Sequence, residues 1–304
     1  MQVDDIKRVL IIGAGTMGQQ IGCHCAACGY SVTFFDTDRP ALDNALEKAQ
    51  KLARRYVKTE RISPEEADSA LERIRATADP LEAGHAADFV SESVPEDPEL
   101  KGRVFAQFNE ICPAHTIFTT NTSSLVPSQF AELTGRPEQF AALHFHDLRF
   151  NNVVDIMPHP GTSKDTVSLI EALAERAGWI PIMLHKESPG YVFNAMLMEF
   201  LKSAQTLAAN GVASVEDIDR SWMGVMLTDI GPFGLMDSIG LDTAWKITDY
   251  WARKLGDPQY RSNAEFLKQY VDRGLLGTKT GQGFYRYPNP VYAQPGFLEK
   301  KTGR

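Results

Sequence analysis

The 304-residue sequence predicts an α/β protein: a doubly wound, mostly parallel sheet followed by a smaller all-α domain. Three observations carry that expectation. Short apolar runs end at glycine or polar turn residues, a glycine-rich turn follows the first of them directly, and the sequence beyond Lys186 becomes helix-permissive with few strand-like runs. At about 150 residues per domain the length itself points to two domains, placed at 1–186, with a helical extension over about 39–75, and at 187–304. The mix of 43% hydrophobic and 23% charged residues is that of a globular chain and excludes disordered, collagenous and fibrous classes.

The first element, Lys7-Arg-Val-Leu-Ile-Ile12, is a continuous apolar run of the kind that a strand buried on both faces requires. A helix of small residues is expected over 16–28, and Gly29 breaks it before Ser31-Val-Thr-Phe-Phe-Asp36, whose β-branched and aromatic content reads as a second strand. A long charged helix is expected over 40–56. Another starts at Ser63-Pro64-Glu65-Glu66, which supplies a cap, a proline for the first turn and acids for the positive helix end. Further strands are expected at 89–90, 116–120, 141–145 and 153–157, with helices between several of them.

Gly13-Ala-Gly15-Thr16-Met17-Gly18 lies between the first strand and the first helix, where a G-x-G-x-x-G turn binds a dinucleotide. Gly13 permits the tight turn, Gly15 lets the backbone approach a pyrophosphate, and Gly18 allows close helix–strand packing, while the helix N-terminus offers free N–H groups. Asp36 closes the second strand eighteen residues after Gly18. An acid there accepts from a ribose 2′-hydroxyl and repels a 2′-phosphate, so the expected cofactor is NAD rather than NADP on a Rossmann-type domain.

With 31 Lys+Arg against 39 Asp+Glu the net charge is −8, which argues against nucleic acid as a partner and leaves acidic ligands to local patches. Lys51, Arg54, Arg55 and Lys58 form one such stripe, at i, i+3, i+4 and i+7 of the long helix; it is either a CoA-phosphate patch or a solvated face. No apolar run approaches the roughly 18 residues of a membrane span, and Asp4 and Asp5 stand where a signal peptide carries positive charge. A cytoplasmic protein with reduced cysteines is expected. On a helix, ~100° per residue sends Cys23 and Cys25 about 200° apart, so the Cys23-His24-Cys25-Ala-Ala-Cys28 cluster reads as small buried fillers, and no metal is expected.

Asn121-Thr-Ser-Ser-Leu125, Leu143-His-Phe-His146 and Ser188-Pro-Gly-Tyr-Val-Phe-Asn194 extend the glycine loop into a larger pattern. With Val90-Ser-Glu-Ser-Val-Pro-Glu96, Lys101, Gly231-Pro-Phe-Gly-Leu-Met-Asp237 and Gly281-Gln-Gly-Phe-Tyr285, the chain resembles the L-3-hydroxyacyl-CoA dehydrogenases along nearly its whole length, the short bacterial 3-hydroxybutyryl-CoA dehydrogenases in particular. The resemblance implies reversible, NAD-dependent oxidation of a short-chain L-3-hydroxyacyl-CoA to the 3-ketoacyl-CoA. It puts the general base on His144 and its carboxylate partner on Asp155, one methylene shorter than the family's glutamate and one residue nearer in sequence. It also sets Ser123 and Asn194 against the reacting oxygen or substrate, Glu96 and Lys101 beside the cofactor and substrate, and the helical extension near CoA. The helical domain, with Trp222, Phe233, Leu235 and Trp245, is implied as a homodimer interface.

The chain departs from the family just after His144. Where the family commonly reads His-Phe-Phe-Asn-Pro, this sequence has His144-Phe-His146-Asp147-Leu-Arg149, without the proline. Strand period two places His146 on the side of His144, as a second polar contact or a bystander, and Asp147 is a candidate to raise the basicity of a nearby imidazole. Two other readings stay open: a dehydrogenase of CoA-free 3-hydroxy acids, of the gulonate or carnitine type, and a non-catalytic NAD-binding protein of the crystallin kind.

Overall fold

The opening apolar run is a strand because both of its faces have somewhere to go. In a computed structural model that describes residues 1–299, Val9 and Ile11 enter one core cluster while Leu10 and Ile12 enter another on the opposite side. The chain divides into two compact units, Met1–Val192 and a second from Phe193 onward.

In the first unit β1 (Arg8–Ile12) is followed by α1 (Thr16–Ala27), β2 (Ser31–Phe35), α2 (Arg39–Lys58), α3 (Pro64–Glu72), β3 (Ile74–Thr77) and α4 (Pro80–Gly84). Then come β4 (Phe89–Glu92), α5 (Pro98–Ile111), β5 (Ile117–Thr120), β6 (Phe140–Phe145), β7 (Val153–Pro158), α6 (Lys164–Arg176) and β8 (Ile180–Met183). The eight strands form one sheet in the order β3-β2-β1-β4-β5-β6-β7-β8. Every neighbouring pair is parallel except β6 and β7. The order reverses between β1 and β4, and ligands of such sheets bind beyond the carboxyl ends of the strands at that point. Ser63 caps α3 as its sequence suggests, accepting from Glu66 N–H while the Glu66 side chain accepts from Ser63 N–H.

Two strands lie where no strand was expected, β3 inside the helical extension and β8 before the domain boundary. They are the two edges of the sheet. An edge strand is half solvated and short, so Ile74-Arg-Ala-Thr77 lacks the apolar run that reveals an interior strand, while in the apolar Ile180-Pro-Ile-Met183 it is Pro181, tolerated at an edge, that argues against a strand in the sequence.

The second unit consists of α7 (Phe193–Ala209), α8 (Val215–Met226), α9 (Pro232–Ile239), α10 (Leu241–Leu255) and α11 (Pro258–Val271) with a glycine-rich tail. Its core gathers Leu201, Phe233, Met236, Leu241, Leu267 and Tyr285. Among the described residues no helix is long and apolar enough to cross a membrane.

Candidate active site

The glycine turn is built by close contacts. Gly13 has φ +98°, and a Cβ there would lie 2.7 Å from the Ser93 carbonyl oxygen, so only glycine lets β1 and β4 end side by side. A Cβ on Gly18 would meet the Gly13 carbonyl at 2.0 Å, whereas one on Gly15 would meet nothing within 4 Å. Gly15 is the N-cap of α1, which has no side-chain cap, so Thr16, Met17 and Gly18 open the helix with N–H groups available to an anion. Asp36 pins this turn from β2: its Oδ2 accepts from Ala14 N–H at 2.8 Å and its Oδ1 from Asp38 N–H at 3.0 Å. The set fits a dinucleotide: an open glycine before an uncapped helix, with a carboxylate at the end of the next strand.

A polar network ties the ends of β4 and β5 together. Glu92 is fully buried; its Oε1 accepts from Lys101 Nζ at 2.8 Å and its Oε2 from Thr120 Oγ1 at 2.6 Å. Burial raises the Glu92 carboxyl pKa against the pull of Lys101. Glu96 Oε1 accepts from Thr122 Oγ1 and from the N–H groups of Ser123 and Ser124, and its Oε2 lies 3.5 Å from Lys101 Nζ. Burial would raise the Glu96 carboxyl, but the Thr122 hydrogen bond and the Lys101 charge outweigh it and hold it low. Ser123 is thus an exposed residue on a loop clamped by Glu96. Lys101 is 1% exposed, with Nζ also donating to Val94 O at 3.2 Å, and braces Glu92 and Glu96.

His144 and Asp155 face each other across the antiparallel β6–β7 ladder as direct partners in register. His144 Nδ1 lies 3.0 Å from Asp155 Oδ2, so the aspartate reaches the imidazole from directly across the ladder. The same oxygen is 3.1 Å from His146 Nε2. Burial would raise the Asp155 carboxyl; hydrogen bonds from both imidazoles, with their charges, hold it below the usual carboxylate range. An ionised carboxylate only accepts, so each imidazole donates to it, which leaves Nε2 of His144 to exchange a proton. Asn121 Oδ1 accepts from Phe145 N–H at 2.9 Å and ties the loop after β5 to the end of β6.

Tyr191 was not among the expected site residues. Its ring stacks on His144 with centroids 4.5 Å apart and planes 23° from parallel, and it is buried with its hydroxyl unpartnered among the described residues. The signal was an aromatic residue directly after Ser188-Pro-Gly190, where a φ of +55° turns the chain back over the sheet. Burial and the surrounding carboxylates, Glu96 foremost, keep that hydroxyl protonated.

Other expected residues of the first unit have other partners. The α2 stripe is exposed; Lys51 pairs with Glu47, while Arg55 Nη2 donates to Arg149 O at 3.4 Å. The Arg55 and Arg149 guanidiniums lie 5.3 and 5.4 Å from the ring centre of Phe150, which is 71% exposed. Asp147 pairs with Arg149, not with an imidazole, and this hydrogen bond holds its carboxyl low. Asn194 stands in the first turn of α7, the opening helix of the second unit. Cys23 Sγ donates to Ala49 O, and burial pushes its thiol up to about 12. The ligand atoms of His144, His146 and Asp155 do lie within 4.8 Å of one another, a grouping of metal-ligand type that the cysteine reading did not consider.

In the second unit the remaining motifs meet. Asp237 accepts from Phe284 and Tyr285 N–H, each at 2.9 Å, and from Tyr287 Oη at 3.0 Å. Asp219 accepts from Phe233 and Gly234 N–H at 2.8 and 3.0 Å and from Tyr285 Oη at 2.9 Å. Gly231-Pro-Phe-Gly-Leu-Met-Asp237 and Gly281-Gln-Gly-Phe-Tyr285 are therefore the two halves of a structural staple. Phe233 is fully buried in this core and cannot contribute to an interface between subunits.

Residues 8–188 match the sequence model of the 3-hydroxyacyl-CoA dehydrogenase NAD binding domain, and residues 190–287 that of the 3-hydroxyacyl-CoA dehydrogenase C-terminal domain. The chain is 34% identical over 284 residues to a probable 3-hydroxybutyryl-CoA dehydrogenase of Bacillus subtilis (strain 168), covering 93% of this chain and 98% of that protein. It is similar to the solved structure of (S)-3-hydroxybutyryl-CoA dehydrogenase from Ralstonia eutropha, with TM-score 0.83, 32% identity, and 93% and 100% of the two chains covered. It is also similar to a diketoreductase solved in work on dual catalysis of dicarbonyl compounds, with TM-score 0.86, 37% identity, and 93% and 99% covered.

Proposed function

From the chain's membership of the 3-hydroxyacyl-CoA dehydrogenase family, which makes it an NAD-dependent oxidoreductase acting on CH–OH, we propose that it oxidises a short-chain L-3-hydroxyacyl-CoA reversibly to the 3-ketoacyl-CoA. The observation that carries this reading is the buried His144–Asp155 pair at the end of β6, in register across the ladder. NAD, when bound, would supply the hydride acceptor for the carbinol carbon. His144 takes the hydroxyl proton at Nε2, while Asp155, still ionised, orients the ring and stabilises the imidazolium that forms. Ser123 and Asn194 donate to the reacting oxygen as its charge develops.

Gly13, Gly15, Thr16, Met17 and Gly18 hold the pyrophosphate, Asp36 accepts from the ribose hydroxyl, and Glu96 borders the cofactor with Lys101 bracing it from below. Arg54, Arg55, Lys58 and Lys51 steer the CoA phosphates. The exposed Phe150 between Arg55 and Arg149 supports that role, since an aromatic face beside guanidiniums suits a phosphorylated adenosine. The enzyme works in the cytoplasm as a homodimer through its helical unit, a reading supported by the exposed Val225, Met226 and Leu227.

The likeness to a diketoreductase favours a second reading, a dicarbonyl or hydroxy-acid substrate without CoA. NADH oxidation with acetoacetyl-CoA and with free acetoacetate, each repeated with NADPH, separates the two. The first reading expects turnover confined to the thioester with NADH. Turnover on the free acid alone establishes the second, and none on either contradicts both.

A further inference from the structure

Asp155 is a short acid that serves two rings. In a longer acid the second methylene gives reach; here the carboxylate stands directly opposite His144 in the ladder, and one oxygen, Oδ2, takes both hydrogen bonds. The imidazoles approach that oxygen from different directions, because their planes lie 76° apart with centroids 4.7 Å apart. His146 is largely buried, with its side chain 14% exposed, so its bond to Asp155 is shielded from water.

We propose that His146 is a positioning residue: it makes a second hydrogen bond to the Asp155 oxygen that His144 uses, fixing the oxygen that orients the base. This rests on the reading of His144 as the base. With one donor only, a carboxylate on a single methylene is free to turn about its Cβ–Cγ bond, and His144 Nδ1 loses its aligned partner for part of the time. With two donors converging, Oδ2 has one position that satisfies both. Where the resemblance implies phenylalanine and a longer acid, this chain carries a hydrogen-bond donor and an aspartate. The second histidine compensates for the shortened acid.

The test compares His146→Phe and His146→Gln with the wild-type enzyme in kcat, in KM for acetoacetyl-CoA and NADH, and in the NMR signal of the His144 Nδ1–H proton in the ligand-free protein. His146→Phe is expected to lower kcat about 10-fold with both KM values unchanged, and His146→Gln, whose amide also donates, to recover most of the loss. The Nδ1–H proton, held on Asp155 Oδ2, is expected to give a downfield signal protected from exchange in the wild type and in His146→Gln, and to lose that protection in His146→Phe. Wild-type kcat in His146→Phe, no recovery in His146→Gln, or an unchanged Nδ1–H signal in His146→Phe would overturn the proposal. The NMR measurement needs no substrate, so a wild-type enzyme inactive on the thioester refutes the functional reading without deciding this one.

Discussion

Buried carboxylates in the two units differ in the partners they are given. In the N-terminal unit Asp88 lies against Arg8 and His115, and Asp155 against two imidazoles; hydrogen bonds and charges from these partners outweigh burial, holding Asp155 low and bringing Asp88 down to about 2, whereas at Glu92 burial prevails even against Lys101. In the helical unit Asp219 and Asp237 receive amide N–H groups and tyrosine hydroxyls. Burial prevails there, raising Asp237 and bringing Asp219 up to about 6. A buried acid stays ionised only where the hydrogen bonds and charges of its partners exceed the cost of burial. Asp155 must stay ionised if it is to stabilise a charged imidazole, whereas Asp219 and Asp237 need only fasten a tail to a helix.

The comparison breaks most sharply if Asp155 proves dispensable as a charge. Asp155→Asn keeps the shape and removes the charge, and kcat is expected to fall about 10³-fold with little change in thermal stability; equal kcat would place Asp155 with the structural acids. The converse substitution is Gly283→Ala, whose Cβ would lie 2.0 Å from Asp237 Oδ1. It is expected to cost the helical unit about 3 kcal/mol, read by denaturant unfolding, while NADH binding persists.

Acidity separates the units more gently. Asp219 has its folded pKa raised above the usual 3.8, to about 6, so its contribution to stability is complete below the unfolded value and is lost as pH rises through 6. That loss is of order 3 kcal/mol. Asp88, lowered to about 2, behaves in the opposite sense, and its contribution fades as pH falls from about 4 towards 2. Hydrogen exchange, corrected for its intrinsic pH dependence, should find the helical unit loosening from pH 4 to 7 and the Asp88 region loosening below pH 4; parallel responses would contradict the contrast. The smallest effect expected is that of Asp36→Ala. It removes both the ribose acceptor and the clamp on Ala14, weakening NADH binding about 10-fold and narrowing the preference over NADPH.

The interior of the sheet was legible because strands buried on both faces leave continuous apolar runs, as at Val9–Ile12. The edge β3 left none, and in β8 Pro181 masked it. In the candidate site, the glycine turn was legible from its place between a strand and a helix, whereas His144 and Ser123 were singled out only by the family resemblance. The shorter reach of Asp155 looked like a defect in sequence, because one-dimensional spacing does not reveal that the ladder sets it directly across from His144. The burial of Lys101 was not legible either, because a lysine's buried partner, here Glu92, is not visible in a linear sequence. Tyr191 became visible only with the chain reversal that lays it on His144.

The central claim is that an imidazole held by an ionised aspartate moves the proton while the cofactor is bound independently of it. The most direct measurement is single-turnover NADH oxidation by wild type and His144→Ala with acetoacetyl-CoA, alongside NADH binding by fluorescence. The account predicts a loss of at least about 10³-fold in the chemical step with NADH affinity unchanged. Turnover within a few-fold of wild type would remove His144 from its role.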